Sequence, residues 1–375
     1  MPNPGAVVGR VVRLDPSIEE RPRGTRTVEL GGDVRATIDA ENAKSEGLAR
    51  LLDGAARLRR PVYLELDLPT GTIKRLLLPA VGRVARSRAL ADGSLQVQLD
   101  ASHAIQTLRI SNPDFGAFSE RLHSSEQDRL TVLIVTFEDD GAIIDVRGFR
   151  PGPDGDLPPL PPIPVPKWPP HEWIDKFLRW ILRWPIWPWR WWWWWGCTSA
   201  TNAQQVFNAM AATTCAPLTV PAPCIPFLYP DDGCWARAHE MVRLMLAMGL
   251  KPYKVWIQGW PLNPDTRNHP NCEVTWGWHV APTLCVRAKW WWFWGTRMVI
   301  DPALFSTPVS KATWKSIQKN PGATLTDTDG TYYNWIWSQP DDPGYADTNY
   351  YLSVYRLALQ ARAMQIGAPP YANCP

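Results

Sequence analysis

The first 150 residues carry short apolar runs broken by Gly, Pro, Asp and Asn, a pattern typical of β-strands joined by turns. Seven such runs occur: VVGRVVRL, TRTVEL, PVYLELDL, IKRLLLP, SLQVQLD, TLRIS and LTVLIVTF. The tripeptide Ala91-Asp92-Gly93 predicts a hairpin turn before the fifth run. The pattern therefore predicts a β-rich N-terminal domain over residues 1–150.

Two further segments of this domain have apolar residues at helical spacing. They predict one helix from Ala43 to Leu58 and a second near Pro113 to Leu122. The histidines of the domain, His103 and His123, are isolated in the sequence. We interpret both as structural or surface residues and predict no catalytic site here.

Residues 197–366 alternate helical and strand patterns, which predicts a domain of mixed helices and strands. One predicted helix follows Asp231 and Asp232, which are capping-type residues, and ends at Gly249. Cys234 therefore lies in its first turn. Unpaired N–H groups and the positive end of the helix dipole lower a thiol pKa there and can stabilise an oxyanion. This position makes Cys234 a candidate nucleophile.

Three histidines of this domain are candidates for the base that a thiol nucleophile needs. His239 is five residues after Cys234 and points about 140° around the helix from it, so we interpret it as structural. His269 lies in a Pro/Asn loop and is a weak candidate. His279 lies in CEVTWGWHVAPTL, which reads as a strand with Gly277 and His279 opposite a bulky face. The bulky face consists of Val274, Trp276, Trp278 and Val280.

The third candidate group is a carboxylate at the end of a buried-type strand. Asp301 follows the run RMVI and precedes Pro302. A carboxylate in such a place can hold a neighbouring imidazole in the required tautomer. A helix-start Cys, a strand His and a strand-end Asp together form the arrangement of a thiol acyl-transfer site.

Proline and tryptophan are concentrated in the centre of the chain, which has 38 Pro and 23 Trp but no Trp before Trp168. Residues 151–170 are half proline and predict an extended linker. Residues 171–196 hold ten Trp interspersed with Arg and Pro, and their charge density argues against a spanning helix. Two interpretations stay open for this segment: packing on a domain, or contact with a membrane interface or a partner.

The net charge of +3 supports no nucleic-acid-binding function. The seven Cys show no spacing of a zinc site. An odd count leaves one thiol for chemistry and six for disulfides, which favours secretion or the cell surface, although no signal peptide is visible. Cys272 and Cys285 flank His279 and could bridge its strand, and Cys215 with Cys224 could close a short loop.

Three motifs in this domain resemble bacterial protein-glutaminases, a family of papain/transglutaminase-like protein-glutamine deamidases. They are PCIPFLYPDDGCWARAHEM, WGWHVAP and VIDPALFSTPV followed by Trp314. The resemblance begins near Asn202 and extends weakly to Tyr350. It implies an α+β fold, with a papain/transglutaminase-like catalytic domain over residues 197–375 after the β-rich N-terminal domain.

The resemblance also implies site residues and a reaction. The catalytic Cys, His and Asp of the family correspond to Cys234, His279 and Asp301, and its local disulfide corresponds to Cys215 and Cys224. The implied reaction hydrolyses glutamine side chains of proteins or peptides, without a metal or organic cofactor. Family members carry an N-terminal pro-region that blocks the active site, and the β-rich domain could take that part.

Aromatic residues next to the motifs predict the walls of the site. Trp235, Trp276 and Trp278 could hold the aliphatic part of a glutamine side chain. The alternation along the strand favours a second interpretation for Trp276 and Trp278, in which both pack beneath it.

Other functions fit parts of the same sequence. A transglutaminase has the same triad in the same order and passes the acyl group to an amine, whereas a papain-like peptidase cleaves the main chain. The alternative from another class is a membrane-active or interaction protein that acts through residues 171–196.

Overall fold

The computed structural model describes residues 5–20, 24–32, 34–39, 44–149, 197–218, 223–287, 295–333 and 342–375. Its mixture of helices and strands confirms the predicted α+β class. The Pro-rich linker and the Trp-rich segment lie outside these residues, so their predicted roles stay predictions. Among the described helices, none combines the length and the apolar character that crossing a membrane requires.

The N-terminal region is rich in β-strands, and each of the seven predicted runs contains or overlaps one. Four strands were not predicted, β3, β6, β7 and β11, because none of them forms a long apolar run. The Ala91-Asp92-Gly93 turn joins β7 to β8, with Gly93 at a φ of 85°. The strands are β1 (Ala6–Asp15), β2 (Arg26–Leu30), β3 (Val34–Ile38), β4 (Pro61–Leu66), β5 (Ile73–Leu77), β6 (Ala80–Gly82), β7 (Val84–Ala89), β8 (Leu95–Leu99), β9 (Ile105–Leu108), β10 (Leu133–Phe137) and β11 (Ile143–Gly148).

These strands form three antiparallel sheets, in the orders β3-β2-β1-β4-β5, β11-β10-β6 and β7-β8-β9. The predicted helices are present as α1 (Ser45–Arg57) and α2 (Phe115–Asp128). The apolar face of α1 packs on the first sheet, and Phe118 and Leu122 of α2 pack against the other two. Burial of these faces supplies the main stabilisation of the region.

The C-terminal region is built on one five-stranded antiparallel sheet in the order β15-β14-β13-β12-β16. The helix that begins at Cys234 packs against the central strand of this sheet, β13. The strands are β12 (Tyr253–Leu262), β13 (Trp276–Arg287), β14 (Gly295–Val299), β15 (Val309–Ser310) and β16 (Thr324–Asp329). The helices are α3 (Ala200–Ala211), α4 (Cys234–Ala247), α5 (Lys311–Ser316) and α6 (Ala346–Ile366), and a 3-10 helix (Pro343–Tyr345) precedes α6.

Helix α6 joins the two regions. Its residues Leu357 and Ala361 are part of the hydrophobic core of α1 and the first sheet. Gly47 and Gly54 of α1 allow this approach, since a Cβ at Gly54 would lie 2.7 Å from Leu357 Cδ1. The N-terminal region is therefore packed against the C-terminal helix through a shared apolar core and not through polar contacts alone.

Strand β12 carries a lysine in the interior of the C-terminal region. Lys254 is 0% exposed, and its Nζ lies 2.9 Å from His239 Nδ1 and donates to the carbonyl oxygen of Tyr332. Burial lowers the pKa of Lys254 to about 7, and the same burial lowers the pKa of His239 to about 3. Burying an ammonium group therefore has a cost in stability that depends on pH.

Replacing Lys254 by methionine should remove this pH dependence. The pKa of Lys254 is about 7 in the folded protein and has an ordinary value of 10.5, so between these values the unfolded chain binds more protons. The unfolding free energy of the wild type relative to Lys254→Met should therefore rise by about 2 kcal/mol from pH 7 to pH 9. Urea denaturation of both proteins at pH 7 and pH 9, with the disulfides intact, measures this change in unfolding free energy. The exposed Lys251→Met is the control, and equal pH slopes for Lys254→Met and the wild type would contradict the prediction.

Candidate active site

Cys234 lies where the sequence placed it, at the first residue of α4, and it is 1% exposed. Gly233 precedes it in the left-handed region, with a φ of 80°. A Cβ at Gly233 would lie 2.2 Å from the ring of Tyr355, so both the backbone and the packing require glycine. The chain therefore enters the helix through a tight turn that holds the thiol inside the protein.

His279 and Asp301 form a buried pair next to this helix. His279 Nε2 lies 2.9 Å from Asp301 Oδ2, and the Trp314 Nε1–H donates to the same oxygen at 2.9 Å. Burial raises the pKa of Asp301, but the neighbouring His279 and these hydrogen bonds outweigh it and hold the pKa below its usual range. The carboxylate is thus suited to fix the tautomer of His279 and to stabilise its protonated form.

A third side chain lies in the site, and it comes from the N-terminal region. His103 is 0% exposed, and its Nδ1 lies 3.4 Å from Cys234 Sγ and 2.9 Å from Asp232 Oδ1. Cys234 Sγ and one ring nitrogen each of His103 and His279 all lie within 4.8 Å of one another. His103 is thus buried at the contact between the two regions and His123 is exposed on α2, which agrees with the interpretation of both as structural or surface residues, but the sequence did not indicate that His103 lies beside the thiol.

Main-chain hydrogen bonds hold His103 in this place. The Gly277 N–H donates to the His103 carbonyl oxygen and the Ile105 N–H donates to the Thr275 carbonyl oxygen, both at 2.8 Å. Ala104 bridges antiparallel to Trp276, so the segment lies like an added strand at the start of β13. The N-terminal region thus enters the site in the same extended manner in which a peptide pairs with a sheet edge.

The face of β13 that Gly277 leaves open is also filled by the N-terminal region. A Cβ at Gly277 would lie 2.1 Å from Gln98 Oε1, so Gln98 occupies the space. Gln98 Nε2 donates to the Ser102 carbonyl oxygen at 3.0 Å and so supports the turn before His103. The sequence predicts the open face but not its occupant.

The three predicted wall residues surround the imidazole of His103. The ring centroids of Trp235, Trp276 and Trp278 lie 6.0, 5.1 and 5.4 Å from that of His103. Trp276 also stacks on His279, with 4.3 Å between the centroids. Their contact with the side chain that fills the site fits the predicted wall.

The alternation that assigns Trp276 and Trp278 to one face is wrong. Trp276 stacks on His279, whereas Trp278 lies against Trp235 and Trp256, with centroids 5.9 and 5.8 Å away. The pairing with β12 is irregular at this point, since Gln258 pairs with Trp278 but Leu262 pairs with Trp276. Trp276 belongs to one hydrophobic core cluster and Trp278 packs against another, which a period of two does not predict.

The surroundings of Cys234 favour the neutral thiol over the thiolate in this state. Burial raises the pKa of Cys234 well above its usual range and outweighs the nearby Arg237 and a hydrogen bond from the Val280 backbone. The expectation that the helix start lowers the thiol pKa is therefore wrong for this state. Desolvation destabilises the thiolate by more than the helix terminus stabilises it. Burial likewise lowers the pKa of His103 to about 4.

Asp231 and Asp232 do not cap α4 with their side chains, contrary to the expectation. Asp232 Oδ1 instead accepts from the N–H groups of Gly233 and His103, at 2.9 and 3.2 Å. Asp231 accepts two hydrogen bonds at 2.7 Å from Arg362, which also reaches Asp139 of the N-terminal region. Asp232 therefore links the two regions directly through His103, whereas Asp231 holds the arginine that reaches Asp139.

The other histidines lie outside the site, as predicted. His239 contacts Lys254 at 2.9 Å, and His269 Nε2 lies 3.2 Å from Asp231 Oδ1. Neither side chain belongs to the group around Cys234.

All seven cysteines are in the described part of the chain, and Cys234 is the free one. Cys215 is bonded to Cys224, as the resemblance implied. The predicted bridge between Cys272 and Cys285 is wrong, because these residues belong to two other disulfides, Cys272–Cys374 and Cys197–Cys285. Cys285 lies at the far end of β13 from Cys272, and both have nearer partners in space. Six bonded cysteines are typical of proteins that fold in an oxidising compartment.

Comparison with known proteins finds one family in this part of the chain. Residues 203–318 match a family model described as glutaminase. No curated protein sequence matches the chain.

Solved structures of protein-glutaminase are also similar. One is 28% identical over 48% of this chain and 97% of that chain, with a TM-score of 0.38. The NMR structure of protein-glutaminase from Chryseobacterium proteolyticum has the same identity and coverage, with a TM-score of 0.39. A pro-protein-glutaminase structure is 19% identical over 80% of this chain and 99% of that chain, with a TM-score of 0.48.

These TM-scores are below 0.5, so the family model carries the assignment. Its range contains Cys234, His279 and Asp301, together with the three motifs of the sequence. Residues 203–318 are therefore similar to the glutaminase family, in agreement with the resemblance of the three motifs to protein-glutaminases.

Proposed function

We propose that this chain is a protein-glutamine deamidase, which hydrolyses glutamine side chains of proteins or peptides to glutamate and ammonia. The observation that carries the proposal is the buried group of Cys234, His279 and Asp301 within the glutaminase-family segment. A nitrogen of His279 is within 4.8 Å of the thiol, and Asp301 holds the Nε2 of that ring at 2.9 Å.

The arrangement suggests which atom of His279 transfers the proton. Asp301 occupies Nε2, and Nδ1 is buried without a hydrogen-bond partner among the described residues. Nδ1 is therefore the nitrogen that takes the thiol proton when the substrate arrives and returns it to the leaving ammonia. Asp301 stabilises the imidazolium that exists between these two steps.

The reaction then proceeds through a thioester. The Cys234 sulfur bonds to the side-chain amide carbon, and N–H groups at the start of α4 stabilise the oxyanion by about 3–4 kcal/mol for each donor. The C–N bond breaks and ammonia leaves. His279 next removes a proton from water, the hydroxide attacks the thioester carbon, and the C–S bond breaks to give glutamate and the free thiol.

We also infer that the N-terminal region keeps the described state inactive. His103 lies beside the thiol, Gln98 fills the face opened by Gly277, and both are buried. The region is further held by the core that it shares with α6 and by the Arg362 pairs. A protein substrate could not reach Cys234 while these contacts persist.

The same contacts suggest how a substrate binds. A substrate segment in extended conformation would pair with Thr275 and Gly277, as residues 103–105 do here. Its glutamine side chain would take the place of the His103 imidazole, with its aliphatic part between Trp235, Trp276 and Trp278.

Cutting the chain in the linker at residues 151–170 and removing the N-terminal fragment should activate the enzyme. If the blocked state holds 99% of the molecules, ammonia release from casein should rise by about 100-fold. The cut requires an inserted protease site, and protease treatment of the unmodified chain is the control. Because α6 shares a core with the N-terminal region, removal of the fragment must be checked by size-exclusion chromatography. Equal activity of the intact and processed chains would contradict the blocking role.

The same assay separates hydrolysis from two reactions that a Cys-His-Asp site also performs. Incorporation of a fluorescent amine into casein with little free ammonia would indicate a transglutaminase. New N-termini would indicate a peptidase. Ammonia and glutamate in equal amounts, without either of these products, are expected for the deamidase.

A further inference from the structure

Three donor atoms of metal-binding type meet at the contact between the two regions. They belong to His103, Cys234 and His279, and all of them lie within 4.8 Å of one another. The three side chains are 0–1% exposed. Thiolate and imidazole are the ligands that Zn²⁺ prefers in proteins.

Both imidazoles have the outer partners that are usual for metal-bound histidine. His103 Nδ1 lies 2.9 Å from Asp232 Oδ1, and His279 Nε2 lies 2.9 Å from Asp301 Oδ2. A carboxylate on one ring nitrogen orients the ring and raises the basicity of the other. The remaining nitrogens, His103 Nε2 and His279 Nδ1, are buried and have no hydrogen-bond partner within the described ranges. A bound cation would satisfy such nitrogens.

The spacing suits a small tetrahedral ion. With Zn–N bonds of about 2.1 Å and a Zn–S bond of about 2.3 Å, tetrahedral ligands lie about 3.5 Å apart. Every separation in the group is at most 4.8 Å, and the His103 nitrogen that lies 3.4 Å from Cys234 Sγ is Nδ1, which Asp232 also contacts. Rotation of the His103 ring would turn its partnerless Nε2 toward the thiol, and the group could then close around an ion.

The charges around the group also favour a cation. Asp232 and Asp301 contribute two carboxylates next to the imidazoles, and binding would convert the Cys234 thiol to a thiolate. Arg237 and the buried Lys254 are cations that interact with the thiol, so they offset part of this negative charge. A divalent ion would offset the rest.

We propose that His103, Cys234 and His279 bind one Zn²⁺ ion, which bridges the N-terminal region to the catalytic site. On binding, a Zn–S bond forms, the S–H bond breaks and the proton leaves to solvent. Three protein ligands leave the fourth position to water. The ion would coordinate both the proposed nucleophile, Cys234, and the proposed base, His279, so the zinc-bound protein is inactive. This consequence rests on the proposed function, whereas the binding itself does not.

The site exists only when the two regions are docked, because His103 belongs to the N-terminal region and Cys234 and His279 belong to the C-terminal region. Zn²⁺ should therefore stabilise the blocked state by mass action. Separation of the N-terminal region would remove one ligand of three and weaken the hold on the metal. The ion would then act as a lock on the blocked state.

Cobalt(II) titration of the intact chain tests the proposal, because Co²⁺ reports its ligands by absorption. We expect one Co²⁺ per chain, a thiolate-to-cobalt charge-transfer band, and displacement of Co²⁺ by one equivalent of Zn²⁺. Absence of binding, or binding without the charge-transfer band, would overturn the proposal.

Variants of the intact chain identify the ligands. His103→Ala should weaken Co²⁺ binding by about 10-fold or more, and Cys234→Ser should abolish the charge-transfer band. His123→Ala is the matched control, because His123 is an exposed histidine of the same region, and it should bind like the wild type. Equal binding by His103→Ala and His123→Ala would place the metal elsewhere and reject the bridge.

Failure of this proposal can be distinguished from failure of the proposed function. Ammonia release after removal of the N-terminal region measures the enzyme without His103. Activity of that form with no metal binding by the intact chain would refute the zinc site alone. Metal binding through His103 and Cys234 without any ammonia release would retain the site and refute the deamidase.

Discussion

Replacing Cys234 by alanine should lower ammonia release from casein by the processed enzyme by about 10⁴-fold or more. The thiol supplies the covalent step, and no other cysteine can replace it, because the remaining six are disulfide-bonded. Ser306→Ala, a small exposed residue of the same domain, is the control and should keep wild-type activity. Activity in Cys234→Ala above one hundredth of the wild type would rule out this nucleophile.

Chemical modification gives an independent measurement of the same residue. Iodoacetamide should add a single label to each processed chain, at Cys234, and activity should fall in proportion to the labelled fraction. In the unprocessed chain the thiol is 1% exposed beside His103, so its labelling should be slower. Equal labelling rates in the two forms would show that the N-terminal region does not cover the thiol.

His279→Ala should reduce the activity of the processed enzyme by about 10²–10⁴-fold, because the base takes part in both halves of the reaction. The matched comparison is His239→Ala. Both histidines are buried, but His239 contacts Lys254 and lies outside the group around Cys234. His239→Ala should therefore change stability more than the rate of the folded fraction.

A stability measurement must accompany the two variants. Thermal unfolding gives the folded fraction, and activity is then expressed for each folded molecule. A comparable loss of activity in His239→Ala and His279→Ala at equal folded fraction would contradict the assignment of the base. The pH dependence of kcat/KM is a further measurement. In His279→Ala the part of this dependence that is due to ionisation of the base should be absent.

Much of the candidate site follows from local patterns in the sequence. The helix start at Cys234, the strand that carries His279 and the strand end at Asp301 are properties of short segments, because periodicity and turn residues act over a few positions. The helices α1 and α2 and most strands of the N-terminal region follow for the same reason. The order of the three motifs then points to one family.

Other features depend on contacts between distant segments. His103 precedes Cys234 by 131 positions, and its residue type is ordinary for a structural histidine. The disulfide partners of Cys272 and Cys285 are 102 and 88 positions away in the sequence. Spacing along the chain does not show that such distant residues are close in space. Trp276 and Trp278 pack into different core clusters, at a point where the pairing of β13 with β12 is irregular.

The sequence by itself determined the class of the protein and its three candidate catalytic residues, because each of them is marked by the local structure that carries it. Only the tertiary structure decided the state of the site. Whether the thiol is charged depends on how much water reaches it, and water access depends on the docking of a second region. That docking places His103 beside Cys234, and in the docked state burial raises the thiol pKa, whereas the helix start alone would lower it.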